Sequence, residues 1–312
     1  MRLVADIGGT NTRIGLCEGG EIVSETIQSY ANDKWPSFYE LLASYLKGQS
    51  PEELTDMVIA VAGPVRGAQA QLTNRSWVIE TGKLEKAFGI GQAILLNDLT
   101  ALGHAVSVLA PNGLQSLHKS KSRNPQVGQF LVVGIGTGFN ASAIIKTKGS
   151  VYCLSAEVGH ISMPFSISNE LEKNGVQVDR FPTVETLFSG RGFSAYCQIV
   201  SKNNMLQGVD AIATYGQLDA TFVTSAVDQY AALFGQLLRE LCLVYMPDSG
   251  IYLAGSVARA VTAKAADHCT EVFARHCDIR NTQPSNLYTI LDDRAALVGC
   301  AGFAQGPLDQ TG

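Results

Sequence analysis

The stretch LVADIGGTNTRIGL at residues 3–16 returns in outline as LVVGIGTGFNASAI at residues 131–144. Each stretch is an apolar run, a glycine-rich turn and a second run of β-forming residues. A repeat at a fixed offset, here 131 − 3 = 128 positions, predicts a duplicated architecture in which two related hairpins grip one ligand. The copies are unequal, because Asp6 of the first aligns with Gly134 of the second.

The composition favours a two-domain globular protein. The chain has 312 residues, of which 46% are hydrophobic and only 16% are charged, so there is enough apolar surface for sizeable cores. The net charge of −5 gives no reason to expect nucleic acid or an anionic membrane as a partner. No run approaches 18 apolar residues, and Asp6 interrupts any signal-peptide core, so neither a membrane span nor a secretion signal is expected.

The cysteine pattern indicates a reducing compartment. Seven cysteines are scattered without Cys-x-x-Cys spacing, which favours free thiols in the cytoplasm over a disulfide framework. His268-Cys269 and His276-Cys277 lie eight residues apart, which is roughly 12 Å along a helix and too far for one metal ion without further ligands. We therefore expect ordinary helix positions there.

Apolar periodicity predicts alternating strands and helices, the pattern of the α/β class. Strands are expected at 3–7, 13–17, 21–27, 57–61, 93–96, 130–135, 141–146, 151–154 and 250–254. Helices are expected at 35–46, 100–104, 184 to beyond 205, 221–245 and 294–303. Segment 112–127 is expected to be a polar surface excursion. The last helix is rich in Ala and Gly, which predicts close packing, and we expect it to return to the N-terminal domain.

The two glycine-rich turns are candidate phosphate sites. In Asp6–Asn11 the glycines let backbone N–H groups approach an anion, and the Asp6 carboxylate is placed to hold Mg²⁺ directly or through water. A tight hairpin with a capping Asp would have the same sequence. The second turn, Gly134–Gly138, favours the phosphate interpretation. Neither turn fits a P-loop, and neither is a GxGxxG that opens a helix.

Asn97-Asp98 is a candidate for acid–base chemistry. The pair follows an apolar strand, at the carboxyl end where open α/β sheets bind ligands. An Asp there can take the proton of an alcohol that attacks phosphorus. Asn and Asp are also common helix caps, and the residues alone leave that alternative open.

Three further segments carry groups that suit a polyol. Glu157 and His160 stand three residues apart, and a carboxylate accepts from two neighbouring hydroxyls while neutral His donates or accepts. Glu185 is also a typical first-turn helix residue. Asn74 offers an amide near Trp77, a combination that is more often a surface residue next to a core residue than a binding site.

Taken in order, six segments resemble the bacterial glucokinases of the hexokinase superfamily, within the actin-like sugar kinases and chaperone ATPases. They are DIGGTNTR at 6–13, TNRSW at 73–77, LLNDLTAL at 95–102, EVGH at 157–160, VETLFSGRG at 184–192 and GIYLAGS at 250–256. The resemblance covers nearly the whole chain. It implies a duplicated ribonuclease H-like fold of two α/β lobes with a cleft between them, formed by residues 1–107 with 294–312 and by residues 108–293.

The resemblance also implies a reaction. A kinase of this type transfers a phosphoryl group from ATP to the 6-hydroxyl of glucose, which gives glucose 6-phosphate in the first step of glycolysis. The cofactor implied is Mg²⁺, and the assembly implied is a homodimer. The rival substrates are fructose, mannose or an amino sugar. A non-catalytic sugar-binding regulator is a lesser alternative, because no DNA-binding segment precedes the first strand and the net charge is negative.

Individual roles follow from the same resemblance. Asp98 is the expected general base, and Asp6 is expected to organise Mg²⁺. The expected sugar-binding residues are Asn74, Asn97, Glu157, His160 and Glu185. The expected ATP-binding residues are Gly8, Gly9, Thr10, Asn11, Gly136, Thr137, Gly138 and, near the adenosine, Gly255.

The chain departs from the family pattern at four positions. Asn140 stands where GTGLG ends in glycine, and Ser256 stands where AGG is usual; both put the nucleotide preference in question. Arg191 replaces a proline. Val158 replaces a glycine between Glu157 and His160, which leaves the sugar preference open. The zinc-binding cysteine cluster of the related repressor and kinase family is absent from the sequence.

Overall fold

The computed structural model describes residues 1–49, 51, 53–72, 75–106, 108–109, 111–120, 128–148, 150–275 and 284–303. In these ranges the strands are β1 (Arg2–Ile7), β2 (Asn11–Glu18), β3 (Glu21–Ile22), β4 (Gln28–Ala31), β5 (Asp56–Val61), β6 (Val65–Arg66), β7 (Gln69–Gln71), β8 (Val78–Glu80), β9 (Gln92–Asn97), β10 (Leu114–His118), β11 (Gly128–Ile135), β12 (Phe139–Lys146), β13 (Val151–Cys153), β14 (Ile251–Ala254) and β15 (Leu287–Ile290). The helices are α1 (Phe38–Gln49), α2 (Thr81–Phe88), α3 (Asp98–Val106), α4 (Phe165–Lys173), α5 (Val184–Leu187), α6 (Gly190–Ser201), α7 (Gly208–Thr214), α8 (Thr221–Tyr245), α9 (Ser256–Phe273) and α10 (Ala295–Ala301).

The chain divides into two compact units. The first comprises Met1–Ala110 and Asp292–Gly312, and the second comprises Pro111–Leu291. The boundaries expected from the sequence were 107/108 and 293/294. None of the described helices has the length and apolar character needed to cross a membrane.

Each unit is built on a sheet with the same strand order. The first sheet runs β3-β2-β1-β5-β9, with β4 also paired to β2, and the second runs β13-β12-β11-β14-β15, with β10 added at its edge. In both sheets the hairpin strands are antiparallel and the next two strands run parallel to the first. The repeat seen at residues 3–16 and 131–144 is therefore a repeat of topology, and the expected duplicated α/β fold is confirmed.

The two hairpin turns differ by one residue. Ile7 pairs with Thr12 across a turn of four residues, whereas Ile135 pairs with Phe139 across a turn of three. After the turns, structurally equivalent positions of β2 and β12 are therefore shifted by one residue relative to the alignment of the two sequence repeats. A slip of one residue along a strand exchanges its two faces, so equivalent letters of the repeat need not face the same way beyond the turns.

Alternating apolar residues place a core on each face of the first sheet. Leu3, Ala5 and Ile7 face the core that includes α1, while Val4 faces the core that includes α10. Helix α10 thus returns to the N-terminal unit, as the sequence predicted. A Cβ added to Gly299 would lie far inside contact distance of the Ala101 carbonyl oxygen, so α10 and α3 approach backbone to backbone.

The second unit has one large core. Apolar side chains of β11 and β14 pack against the long helix α8, whose range agrees with the helix predicted at 221–245, and against α9. Gly235 of α8 leaves no room for a Cβ against the Cys269 carbonyl of α9, so these helices also pack closely. The rings of Phe188 and Phe193 both contact the ring of Tyr230 within this core.

Several sequence predictions need correction. The strand expected at 21–27 is only β3 followed by a 3-10 turn, because the Thr26 hydroxyl takes the Leu16 N–H and bonds to the Val23 carbonyl in place of ladder pairing. Part of the expected surface excursion is β10, which pairs with β15. Helix α1 begins at Phe38 instead of residue 35, and the helical run after 184 ends at Ser201. The small sheet β6-β7-β8 was not foreseen, whereas α9 supplies the helix expected at His268-Cys269.

The metal alternative gains no support. His268 and Cys269 lie within α9, while His276-Cys277 lies outside the described residues. Among the residues that the structure describes, no group of three or more His, Cys, Asp or Glu side chains is arranged to hold a metal ion.

The Gly299 contact predicts a stability defect. We expect Gly299→Ala to lower the free energy of unfolding by about 3 kcal/mol, because overpacking would force α10 away from α3. Gly302→Ala is the matched control, since its Cβ would have its nearest neighbour, the Val298 carbonyl oxygen, at an ordinary 3.5 Å; we expect a change below about 1 kcal/mol. Urea unfolding measures both, and equal effects would contradict the packing argument.

Candidate active site

Asp6 is a mostly buried carboxylate near the end of β1. It is paired in register with Arg13 of β2, whose guanidinium lies 3.8 Å from Asp6 Oδ2, and the Asp6 side chain is only 17% exposed. Burial and the nearby charge of Asp98 raise the pKa of Asp6 to about 6, although Arg13 acts in the opposite direction. The first unit therefore holds two carboxylates close enough to repel each other.

Asn97 and Asp98 stand at the same edge of that sheet. Parallel pairing sets Ile7 level with Val61 of β5, and Val61 level with Asn97 of β9. The backbones of β1 and β9 are thus about 10 Å apart, two strand spacings, with their carboxyl ends aligned. This arrangement brings Asp98 close to Asp6.

The helix-capping alternative holds for the pair Asn97-Asp98. The N–H of Leu99 donates to Asn97 Oδ1 at 3.0 Å and to Asp98 Oδ1 at 2.9 Å, so the two side chains cap the start of α3. Asn97 Nδ2 donates to the Gly63 carbonyl after β5, at 3.1 Å. These bonds hold both side chains at the sheet edge.

The turn between β1 and β2 is organised by Asn32, a fully buried residue that the sequence analysis missed. Its backbone N–H donates to Thr10 O at 2.9 Å, and its Nδ2 donates to Gly8 O at 2.8 Å. The carbonyl of Gly9 accepts from Arg75 Nε at 3.3 Å. Within the described ranges the N–H groups of Gly9 and Thr10 have no hydrogen-bond partner, so the turn presents donors.

The second turn, Gly136–Gly138, has the same character. Its carbonyls are engaged, since Gly136 O accepts from Gly190 N and Gly138 O accepts from Gly136 N, at 2.8 and 3.0 Å. The N–H groups of Thr137 and Gly138 have no partner in the part of the chain that the structure describes. The turn adjoins the first residue of α6, Gly190, and helix N-termini favour negative charge.

Gly255 closes this corner of the second unit. It has a φ of +94° and precedes α9, and a Cβ there would clash with the Ile135 carbonyl oxygen at the end of β11. Only glycine fits both the conformation and the space. Gly255, the residue expected near the adenosine, therefore lies directly beside the second turn, Gly136–Gly138.

The expected sugar residues of the second unit lie around the start of β12. Glu185, in α5, accepts the N–H of Phe139 through Oε2 at 3.0 Å. A Cβ on Gly138 would lie 2.5 Å from that same carboxylate oxygen. Glu157 and His160 are exposed and flank a short 3-10 helix, and Gly159 between them leaves no room for a Cβ against the Phe139 carbonyl.

Each unit thus collects its own set of the residues singled out in the sequence. The first unit brings together Asp6, Gly8, Gly9, Thr10, Asn11, Asn97 and Asp98. The second brings together Gly136, Thr137, Gly138, Glu157, His160, Glu185 and Gly255. Asn74 lies outside the described residues. Its neighbour Trp77 is a core residue, 5% exposed, whose indole N–H donates to the Pro36 carbonyl.

Three organising residues were missed by sequence reasoning. Arg13 could have been found from the hairpin register, which sets it opposite Asp6. Asn32 and Arg75 reach the first turn from distant positions in the chain, and their spacing carries no signal for it.

Comparison with known proteins identifies the family of this chain. A sequence model of the Glucokinase family matches residues 3–307. The chain belongs to the glucokinase family. It is 30% identical to a glucokinase of Stenotrophomonas maltophilia (strain K279a), over 97% of this chain and 94% of that relative. The resemblance found in the six segments is thereby confirmed, and this family member is an enzyme, a sugar kinase.

Solved structures agree on the fold. A glucokinase from an Antarctic psychrotroph superposes with a TM-score of 0.78 at 23% identity, covering 96% of this chain and 97% of that one. A ROK family glucokinase from Streptomyces griseus, in complex with glucose and AMPPNP, gives 0.65 at 18% identity with coverage of 96% and 97%. The fold is that of the actin-like ATPases.

The raised pKa of Asp6 predicts that the free energy of unfolding depends on pH. Between about pH 4 and 6 the folded chain keeps a proton on Asp6 that the unfolded chain releases, so this group lowers stability as pH rises and the loss is complete above about pH 6. We expect Asp6→Asn to stabilise the metal-free protein by about 1 to 3 kcal/mol at about pH 7.5 and by almost nothing at about pH 4. Urea unfolding with a chelator present measures this. An equal effect at both pH values would contradict the assignment.

Proposed function

We propose that this protein transfers the γ-phosphoryl group of ATP to the 6-hydroxyl of glucose, with Asp98 as the general base. The observation that carries the proposal is Asp98 at the carboxyl end of β9, beside Asp6, in a chain whose family match runs from residue 3 to residue 307. The product, glucose 6-phosphate, would enter glycolysis.

The proposed role of Asp98 fits the demands of the reaction. Phosphoryl transfer depends mainly on positioning and charge neutralisation, and the hydroxyl proton leaves late. The bond from Leu99 N–H to Asp98 Oδ1 restrains the side chain, so its carboxylate is pre-positioned. Asp98 then accepts the proton of the attacking 6-hydroxyl.

The donor set suits Mg²⁺. Burial first and the charge of Asp98 second raise the pKa of Asp6, and a divalent cation would offset both effects, since carboxylate oxygen is its preferred protein ligand. Asp6 is the residue that would hold it. When bound, Mg²⁺ would neutralise charge on the ATP phosphates. Mg²⁺ is commonly held by only one or two protein carboxylates, a number that Asp6 and Asp98 would satisfy.

The remaining roles concern the substrates. The exposed N–H groups of Gly9, Thr10, Thr137 and Gly138 would donate to the ATP phosphates, as backbone amides of glycine-rich turns do. Glu157, His160 and Glu185, together with Asn97 and Asn74, would bind the other sugar hydroxyls. Gly255 would lie near the adenosine.

We also propose a homodimer in the cytoplasm. The dimer rests on the family resemblance. The location is supported by the cysteines, since the six in the described residues are all free thiols.

The base assignment predicts a specific loss of turnover. We expect Asp98→Asn to lower kcat at least about 100-fold, because the amide cannot accept the proton, while glucose still binds. A coupled assay with ATP and Mg²⁺ measures kcat, and calorimetry measures glucose binding. Asp210→Asn is the control, since Asp210 is an exposed Asp in the first turn of another helix, α7. Full turnover of Asp98→Asn would refute the mechanism.

The sugar assignment predicts an order of substrates. With the wild-type protein, glucose is expected to give the highest kcat/KM in a panel that includes fructose, mannose and glucosamine. A higher value for another hexose would move the proposal to that sugar, and binding without turnover of any sugar would favour a regulator.

A further inference from the structure

The side chains of Ser142 and Asn140 extend the edge of the second sheet beyond its backbone ladder. Strands β12 and β13 pair as far as Ile144 and Cys153, and one more backbone bond joins Leu154 N to Ala143 O at 2.8 Å. From there, Ser142 Oγ donates to Leu154 O at 2.9 Å. Asn140 then continues the contact along the next residues.

The Asn140 amide bonds to the backbone on both sides of Glu157. Its Nδ2 donates to Ala156 O at 2.7 Å, and its Oδ1 accepts the Val158 N–H at 2.9 Å. The same Nδ2 lies 3.4 Å from Glu157 Oε2, and Oδ1 also accepts the Ala141 N–H at 2.8 Å. One side chain therefore fixes the backbone before and after Glu157 and contacts its carboxylate.

Asn140 is the residue that restrains an otherwise exposed group. The Glu157 side chain is exposed, and its backbone, with φ −122° and ψ 59°, is neither helical nor extended. Without the amide of Asn140, the 156–158 segment would lose two hydrogen bonds that no strand pairing replaces. The orientation of the Glu157 carboxylate thus depends on residue 140.

Phe139, the residue before Asn140, contacts the other acidic side chain, Glu185. Phe139 N–H donates to Glu185, so the first two residues of β12 contact both acidic side chains assigned to the sugar. The turn assigned to ATP ends just before them, at Gly138. The sequence associated Asn140 with nucleotide preference, but apart from the bond with Ala141 N–H its side-chain hydrogen bonds all go to residues 156–158, around Glu157.

We propose that Asn140 is a positioning residue for the sugar: its side-chain amide holds the Glu157 carboxylate toward the hexose hydroxyls and thereby sets the affinity for glucose, not for ATP. The proposal rests on the function proposed above. It deepens that function. Residue 140 is a position at which this chain departs from the family pattern, and the proposal assigns it a role in sugar affinity.

The first test separates the two substrates. We expect Asn140→Ala to raise KM for glucose about tenfold, the effect of losing bonds that orient a charged group, with KM for ATP unchanged and kcat within about twofold. Ser142→Ala is the matched control, since it removes a bond of the same side-chain ladder farther from Glu157, and both KM values are expected to stay as in the wild type. Thermal unfolding of both variants establishes that they fold.

A second variant tests orientation by charge. Asn140→Asp keeps an oxygen for the Val158 N–H but places a carboxylate beside Glu157. Because two neighbouring carboxylates share a proton only at low pH, we expect its KM for glucose, relative to the wild type, to rise between about pH 5.5 and about pH 8. A structural defect alone would give a ratio that does not change with pH.

The results of these experiments separate a failure of the role proposed for Asn140 from a failure of the proposed glucokinase function. If the wild-type protein phosphorylates no sugar, the proposed function fails. If the wild type phosphorylates glucose but Asn140→Ala leaves KM for glucose unchanged, or raises KM for ATP equally, the role of Asn140 is refuted and the function stands.

Discussion

The repulsion between the Asp6 and Asp98 carboxylates is the interaction on which the first unit's site depends. Two acidic groups are brought close by parallel strands whose register is set by apolar residues in the cores above and below. The folded chain bears this cost in addition to the larger cost of burying Asp6, and together they raise the pKa of Asp6. Carboxyl groups whose pKa is shifted by burial and by a like charge are typical of functional sites, where stability is often lost.

A second constraint is the shortage of space around the second turn. Gly138, Gly159 and Gly255 each stand where a Cβ would meet a neighbouring oxygen at or inside 2.5 Å. Because of these close approaches, the second turn, the segments that carry Glu157 and Glu185, and the start of α9 lie in contact. The site is thus held by backbone approaches at Gly159 and Gly255, and the side chains of Glu185 and Asn140 supplement them.

The duplication did not produce two equal halves. The sheets share a strand order, but the first turn has one residue more than the second and only the first copy carries the acidic residue. The first copy carries Asp6, a carboxylate close to Asp98, whereas the second leads into strand β12, whose first two residues contact Glu185 and Glu157. The same hairpin therefore supports two different tasks, because the segments after the two turns differ.

The sequence by itself determined the class of fold, the repeat, the long helix α8 and the family, because apolar periodicity and ordered motifs are local signals. It also singled out candidate site residues, of which Gly8, Asp98 and Gly136 directly follow apolar strands. Only the tertiary structure decided which distant groups organise them. Asn32 reaches Gly8 from 24 positions away, Arg75 reaches Gly9 from 66, and Asn140 reaches the residues around Glu157. Such contacts arise when strands and turns pack side by side, and no spacing along the chain encodes them.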